Sequence, residues 1–224
     1  MQQAAAQAEP RWHAALGVAA AIVFYVTLPP KIVVGPLWLM PALVGVILIP
    51  LIVISPRRHH ESPLHRGMSI FTVVLLNVFN VGTVVTLLLQ IVSVHHRKPI
   101  GGEQLLLAAV EIWLTNVIVY ALWFWEIDGH GPDVRPRTQN EQEVRRADFL
   151  FPQMALTPEV REHYPWRPRF LDYVFLSFTN ATAFSPTDTF PLTGIAKVMM
   201  MAEALTSLVT IAVVAGRAIN IMGS

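Results

Sequence analysis

Five long apolar stretches, separated by short polar or proline-rich connectors, dominate the pattern of this chain. A helix that crosses the hydrocarbon core of a bilayer needs roughly 20 apolar residues, and each stretch comes close to or exceeds that length. The pattern therefore predicts an all-α integral membrane protein with five transmembrane helices. The predicted spans are Trp12–Leu28, Val34–Ile54, Gly67–Val94, Glu103–Trp125 and Gly194–Met222.

A sixth apolar stretch, Phe170–Phe178, is too short to cross a bilayer. It runs into a polar, proline-broken segment, Thr179–Asp188, that precedes the last span. Irregular polar backbone at membrane depth is tolerated only where it is buried in protein or lines a wet cavity. The layout predicts a helix that re-enters the membrane without crossing it. A helical hairpin is the simpler alternative.

The polar connector 126–169 lies between the fourth predicted span and the short apolar stretch, and it is rich in proline and charge. It is too short and too polar to form a domain with its own core. Its apolar centre, Phe149–Pro152, is expected to dock on the membrane face. Basic residues near the helix ends divide evenly between the two sides of a five-span topology, so the positive-inside rule leaves the orientation open.

Composition narrows the class of protein and excludes several kinds of site. Of 224 residues 54% are hydrophobic and 14% are charged, against about 25% charged in soluble domains. The net charge of +1 gives no reason to expect a nucleic-acid partner, and the absence of cysteine excludes disulfides and thiolate metal sites. Five of the eight histidines cluster in two connectors on opposite sides of the predicted third span, so no metal or other cofactor is expected. These histidines are His59, His60, His65, His95 and His96.

No catalytic motif of a known kind is present in the sequence, so we do not expect an enzyme. Glu111 and Glu203 lie inside predicted spans, where ionisable residues are costly and often functional. A hydrogen bond to a neighbouring helix is the simpler role for each. A transporter or membrane-embedded enzyme would need one of them to face a cavity.

The C-terminal quarter resembles the pore region of tetrameric potassium channels. Asp172–Phe178 is similar to their pore helix, and Thr182 stands where the filter begins. Asp188–Thr193 is similar to the Asp-x-x-Pro-x-Thr run that follows the filter. Met201–Leu205 is similar to the start of the pore-lining inner helix. The apolar pattern gives a three-helix N-terminal region, 1–102, and the resemblance implies that the rest, 103–224, is a pore-domain-like region. Within the latter the outer helix is 103–125, the connector 126–169, the pore helix and loop 170–191 and the inner helix 194–222.

The filter departs from the potassium pattern because no glycine lies between Thr182 and Asp188. A carbonyl-lined filter depends on backbone conformations that glycine reaches most easily. A ring of hydroxyls and amides remains, which is expected to hold hydrated cations with weak discrimination. The candidate pore residues are Thr179, Asn180, Thr182, Ala183, Phe184, Ser185, Pro186, Thr187 and Asp188, joined on the inner helix by Glu203 and by Ser207, which replaces a hinge glycine.

The whole chain also resembles a group of uncharacterised bacterial integral membrane proteins. The segments that carry this resemblance are Trp123–Gly129 with Gly131 and Pro132, Asp148–Gln153, and Ser177–Asp188. It implies a bacterial inner membrane and assigns no activity. Together the two resemblances imply a homotetrameric, weakly selective pore for monovalent cations, with the lipid bilayer as its surroundings. The alternative is a non-conducting structural or partner subunit that retains the pore-domain architecture.

Overall fold

The structure is a computed structural model that describes residues 12–54, 63–92, 102–132, 147–157, 159–160, 166–182 and 188–222. These residues are mostly helical, as the apolar pattern predicts. The six longer helices are α1 (Trp12–Thr27), α2 (Leu39–Ile54), α3 (Pro63–Val92), α4 (Gly102–Ile127), α5 (Phe170–Thr182) and α6 (Gly194–Met222). Two short strands, β1 (Phe149–Leu150) and β2 (Phe190–Pro191), complete the elements used below.

Three helices of the described chain are long and apolar enough to cross a membrane. They contain the segments Arg66–Gln90, Glu103–His130 and Gly194–Ala212, which correspond to three of the five predicted spans. Helices α1 and α2 have 16 residues each, or about 24 Å at 1.5 Å per residue. The helices are compatible with an integral membrane protein.

Helix α2 begins at Leu39, five residues later than the apolar pattern predicts, because residues 29–38 form a packed loop. Three side chains bind the backbone carbonyls of this loop. The Tyr25 hydroxyl donates to Val34 O at 2.9 Å, the Gln90 amide donates to Lys31 O at 3.0 Å, and the Thr86 hydroxyl donates to Ile32 O. Carbonyls outside regular structure need such partners when water is excluded.

Helix α4 lies at the centre of the bundle and contacts α1, α3, α5 and α6. Of its most apolar segment 61% is buried inside the protein, compared with 22% for α6. Phe170 at the start of α5 packs on Trp125, and Phe178 near its end packs on Trp113. Helix α5 therefore runs antiparallel to α4. The face of α6 that points away from α4 is therefore left as apolar surface.

After α5 the chain returns to the end of α4 where α5 began. Strand β2 pairs antiparallel with β1, with Phe149 opposite Pro191 and Leu150 opposite Phe190. Phe149 is fully buried and its ring lies 5.0 Å from that of Phe124. The apolar centre of the connector thus packs on protein at this end of the bundle. The first and last residues of the segment 170–191 consequently lie at the same end of the bundle.

Helix α5 has 13 residues and ends at Thr182, four residues beyond the predicted stretch. At its start the Asp172 carboxylate accepts a 2.7 Å hydrogen bond from the backbone N–H of Arg169. This bond satisfies one of the amides that a helix start leaves without an intrahelical partner. Near its end the Thr179 hydroxyl donates to Phe175 O at 2.8 Å. The polar residues at the end of the stretch thus continue the helix to Thr182.

Candidate functional site

A buried polar cluster joins four helices inside the bundle. Its side chains come from otherwise apolar helix faces, and all but Asn180 are at most 2% exposed. Polar groups that face one another between membrane helices are a common means of fixing helix–helix contacts. We call this set the interhelical polar cluster; it comprises Asn80 on α3, Asn116 on α4, Ser177 and Asn180 on α5, and Glu203 and Ser207 on α6.

Asn116 links three of the helices. Its amide nitrogen donates to the Ser207 hydroxyl at 2.8 Å and to the backbone carbonyl of Glu203 at 3.3 Å. Its amide oxygen accepts from the Asn80 amide at 2.8 Å. A single side chain at the centre of α4 therefore fixes the positions of α3 and α6 relative to each other.

Glu203 lies at the other side of the cluster, and neutral groups bind both of its carboxyl oxygens. The Asn180 amide is 2.7 Å from Oε2, and the Ser177 hydroxyl is hydrogen-bonded to Oε1. Asn180 also donates to the backbone carbonyl of Met200 at 2.9 Å. Glu203 is thus the group through which the C-terminal half of α5 is attached to α6.

A second polar cluster connects the ends of the helices where the chain returns from α5. Asp128 is 1% exposed and accepts from the Tyr173 hydroxyl at 2.5 Å and from the backbone N–H of Asp148 at 2.7 Å. The Asp148 carboxylate in turn accepts from the Thr193 hydroxyl at 2.6 Å and from the N–H of Gly129 at 3.3 Å. This arrangement ties the start of α5 and the start of α6 to the end of α4.

The predicted pore residues fall into three groups. Thr179, Asn180 and Thr182 lie on the last turns of α5, where both threonine hydroxyls donate to carbonyls of their own helix. Asp188 is exposed. The predicted filter residues Ala183, Phe184, Ser185, Pro186 and Thr187 lie outside the described residues.

The two residues predicted on the inner helix, Glu203 and Ser207, are both fully buried and both belong to the interhelical polar cluster. Glu203 forms hydrogen bonds across helices, the simpler of the roles considered from sequence. Helix α6 continues through Ser207, whose hydroxyl accepts from Asn116.

Glu111 is separate from this cluster. It is half-buried and lines a cleft of about 390 Å³ together with Lys31 and Gln104, near the loop that follows α1. Glu111 and Glu203, the two acidic residues singled out inside predicted spans, therefore occupy different environments.

Sequence reasoning missed Asn116 and gave no separate role to Asp128. An asparagine in the middle of an apolar span is itself a signal, because such residues usually face other helices. Asp128 had no such signal, since an acidic residue that follows an apolar helix is ordinarily solvated. Its burial depends on a connector segment that returns to cover it.

No protein-family model, curated protein or solved structure matches this chain.

Proposed function

We propose that this chain is one subunit of a homotetrameric membrane pore that passes monovalent cations with weak selectivity. The observation that carries the proposal is the course of the segment 170–191. Helix α5 reaches about 20 Å from its start, and β2 lies beside β1 at the end of the bundle from which α5 departs. A segment that enters and leaves on one side is typical of a pore loop lining a wet cavity.

In this proposal all of α1, α2, α3, α4 and α6 span the membrane, and α5 re-enters it. The two 16-residue helices fit if the bilayer thins locally or flanking residues reach towards the interface. The membrane is the inner membrane of a bacterium. Helix α4 is the outer helix of the pore region and α6 is the inner helix.

The exposed surfaces of α5 and α6 support assembly with further copies of the chain. Large apolar side chains follow one another at helical spacing on both helices and are each at least 46% exposed. They are Leu171, Phe175 and Phe178 on α5, and Ile195, Val198, Met201, Leu205, Leu208 and Ile211 on α6. Part of this surface would contact neighbouring subunits and part would contact lipid.

Weak selectivity follows from the residues available between α5 and α6. The segment from Thr182 to Asp188 contains hydroxyl groups and no glycine, so a stack of inward carbonyls of the potassium type is not expected. Asp188 is exposed and close to β2. A ring of four such carboxylates at the mouth would raise the local concentration of cations.

The test is cation flux into liposomes that contain the purified protein. The Asp188→Asn variant should reduce the flux severalfold, whereas Glu103→Gln, which neutralises an exposed acid at the far end of α4, should leave it unchanged. Four-fold symmetry of the purified particle about α6 is expected. Absence of flux at every voltage and pH, together with a particle that lacks this symmetry, would refute the proposal.

A second candidate is a non-conducting subunit that keeps the same architecture. It is favoured by the interhelical polar cluster, where Asn180, a predicted pore residue, bonds to Glu203 and Met200 O of its own chain. Co-purification with a constant partner protein and an occluded segment after α5 would support this candidate. A symmetric tetramer with a continuous water path would rule it out.

A further inference from the structure

The hydroxyl of Ser177 lies between two acceptors. Its oxygen is 2.7 Å from the backbone carbonyl of Val117 on α4 and is also hydrogen-bonded to Oε1 of Glu203 on α6. A serine hydroxyl carries one proton, so it can donate one hydrogen bond while its lone pairs accept others. The Val117 carbonyl can only accept. One hydroxyl proton can be shared between two acceptors, but two full hydrogen bonds at Ser177 require a second proton, and of the two partners only Glu203 can carry it.

The other carboxyl oxygen shows where that proton belongs. Oε2 of Glu203 accepts from the Asn180 amide at 2.7 Å, as expected of a carbonyl oxygen. Oε1 is then the oxygen that carries hydrogen. We infer that Glu203 is a proton-binding site inside the bundle, with the Oε1–H group donating to Ser177 and the Ser177 hydroxyl donating to Val117 O.

The surroundings of Glu203 favour a neutral group. Its side chain is 0% exposed, and a buried carboxylate without a cationic partner is strongly destabilised. In the described part of the chain, α3 and α5 present amides and hydroxyls to the cluster. The titratable group that faces Glu203 from α4 is the Tyr120 hydroxyl.

The bound proton connects α4, α5 and α6. When it leaves to solvent, the carboxylate and the Val117 carbonyl compete for the one remaining hydroxyl proton, and one acceptor loses its hydrogen bond. The C-terminal half of α5 is then held less firmly to its neighbours.

The direct test is infrared spectroscopy of the full chain in lipid nanodiscs. At neutral pH the wild-type protein should show the carbonyl band of a buried carboxylic acid. Glu203→Gln should lose this band, and the matched variant Glu103→Gln, at an exposed site, should keep it. A wild-type spectrum without a band that depends on Glu203 would overturn the inference.

Thermal unfolding gives a second, independent readout. Glutamine at position 203 can donate N–H to Ser177 and accept from Asn180, so it imitates the protonated acid. The wild-type Tm should fall by about 2–4 °C in alkaline buffer, which is the amount expected for one lost hydrogen bond in a protein of this size. The Tm of Glu203→Gln should stay constant over the same range. A parallel fall in both proteins would contradict the inference.

Ser177→Ala covers the case in which Glu203→Gln does not fold. It removes the acceptor of the proposed O–H group, so the carboxylic acid band should shift while remaining present. An unshifted band would show that Ser177 does not receive the proton. None of these measurements requires conduction, so a chain that passes no ions could still bind this proton, and a conducting chain could lack it.

Discussion

Replacement of Asn116 by leucine tests whether the interhelical polar cluster stabilises the bundle. Leucine keeps most of the volume of the side chain but removes three hydrogen bonds, two donated and one accepted. Single interhelical bonds in membranes average about 0.6 kcal/mol, and leaving a buried donor such as the Asn80 amide without an acceptor costs about 1–3 kcal/mol. We expect Asn116→Leu to lower the free energy of unfolding by about 2–4 kcal/mol.

The assay is reversible unfolding of the purified protein in mixed micelles, with increasing denaturing detergent. Asn77→Leu is the matched control, because Asn77 lies on α3 one turn from Asn80 and the buried oxygen of its amide has no hydrogen-bond partner among the described residues. That variant should be close to neutral. The double variant Asn80→Leu, Asn116→Leu should cost less than the sum of the single variants, since the second change removes the donor left without an acceptor by the first.

A loss below about 0.5 kcal/mol for Asn116→Leu, within the range of ordinary surface substitutions, would refute this reasoning. Strict additivity of the two asparagine changes would refute it as well. In either case the polar residues of the cluster would be tolerated in the bundle without holding its helices together.

Three further substitutions test other contacts of the fold. Tyr173→Phe removes the 2.5 Å bond to Asp128 and should lower the free energy of unfolding by about 1.5–3 kcal/mol, as for hydrogen bonds to charged groups, measured by the same detergent titration. Gly17→Val should destabilise by about 1–3 kcal/mol, because a Cβ at this position would lie 2.9 Å from the ring of Phe170; Gly17→Ala should cost less. Thr86→Val leaves a loop carbonyl without its donor and should increase proteolysis of the loop between α1 and α2 while helix content by circular dichroism stays unchanged.

The positions of the long helices could be predicted from sequence because each depends on local properties. Apolar runs of sufficient length form helices in a membrane, where every backbone group must be bonded within the segment. The run 194–222 is a helix over the same residues, and α3 and α4 lie within a few residues of their predicted bounds. The start of α2 was wrong because packing against α3 decides it, through the bonds of Thr86 and Gln90 to loop carbonyls.

The candidate site was only partly predictable. Glu203 and Asn180 stood out as polar residues in apolar surroundings, but nothing in the sequence indicates that they meet. They are 23 positions apart, and their contact depends on α5 turning back beside α6. Asn116 and Asp128 acquire their roles only through partners on other helices and in the connector.

The sequence by itself determined the class of this protein, a mostly helical chain with segments able to span a membrane. Composition and the length of the apolar runs decide whether transfer of a helix from water into a bilayer is favourable. Tertiary structure alone decided which polar groups are paired. A hydrogen bond inside the bundle requires two groups within about 3 Å, and that proximity arises from helix packing, not from distance along the chain.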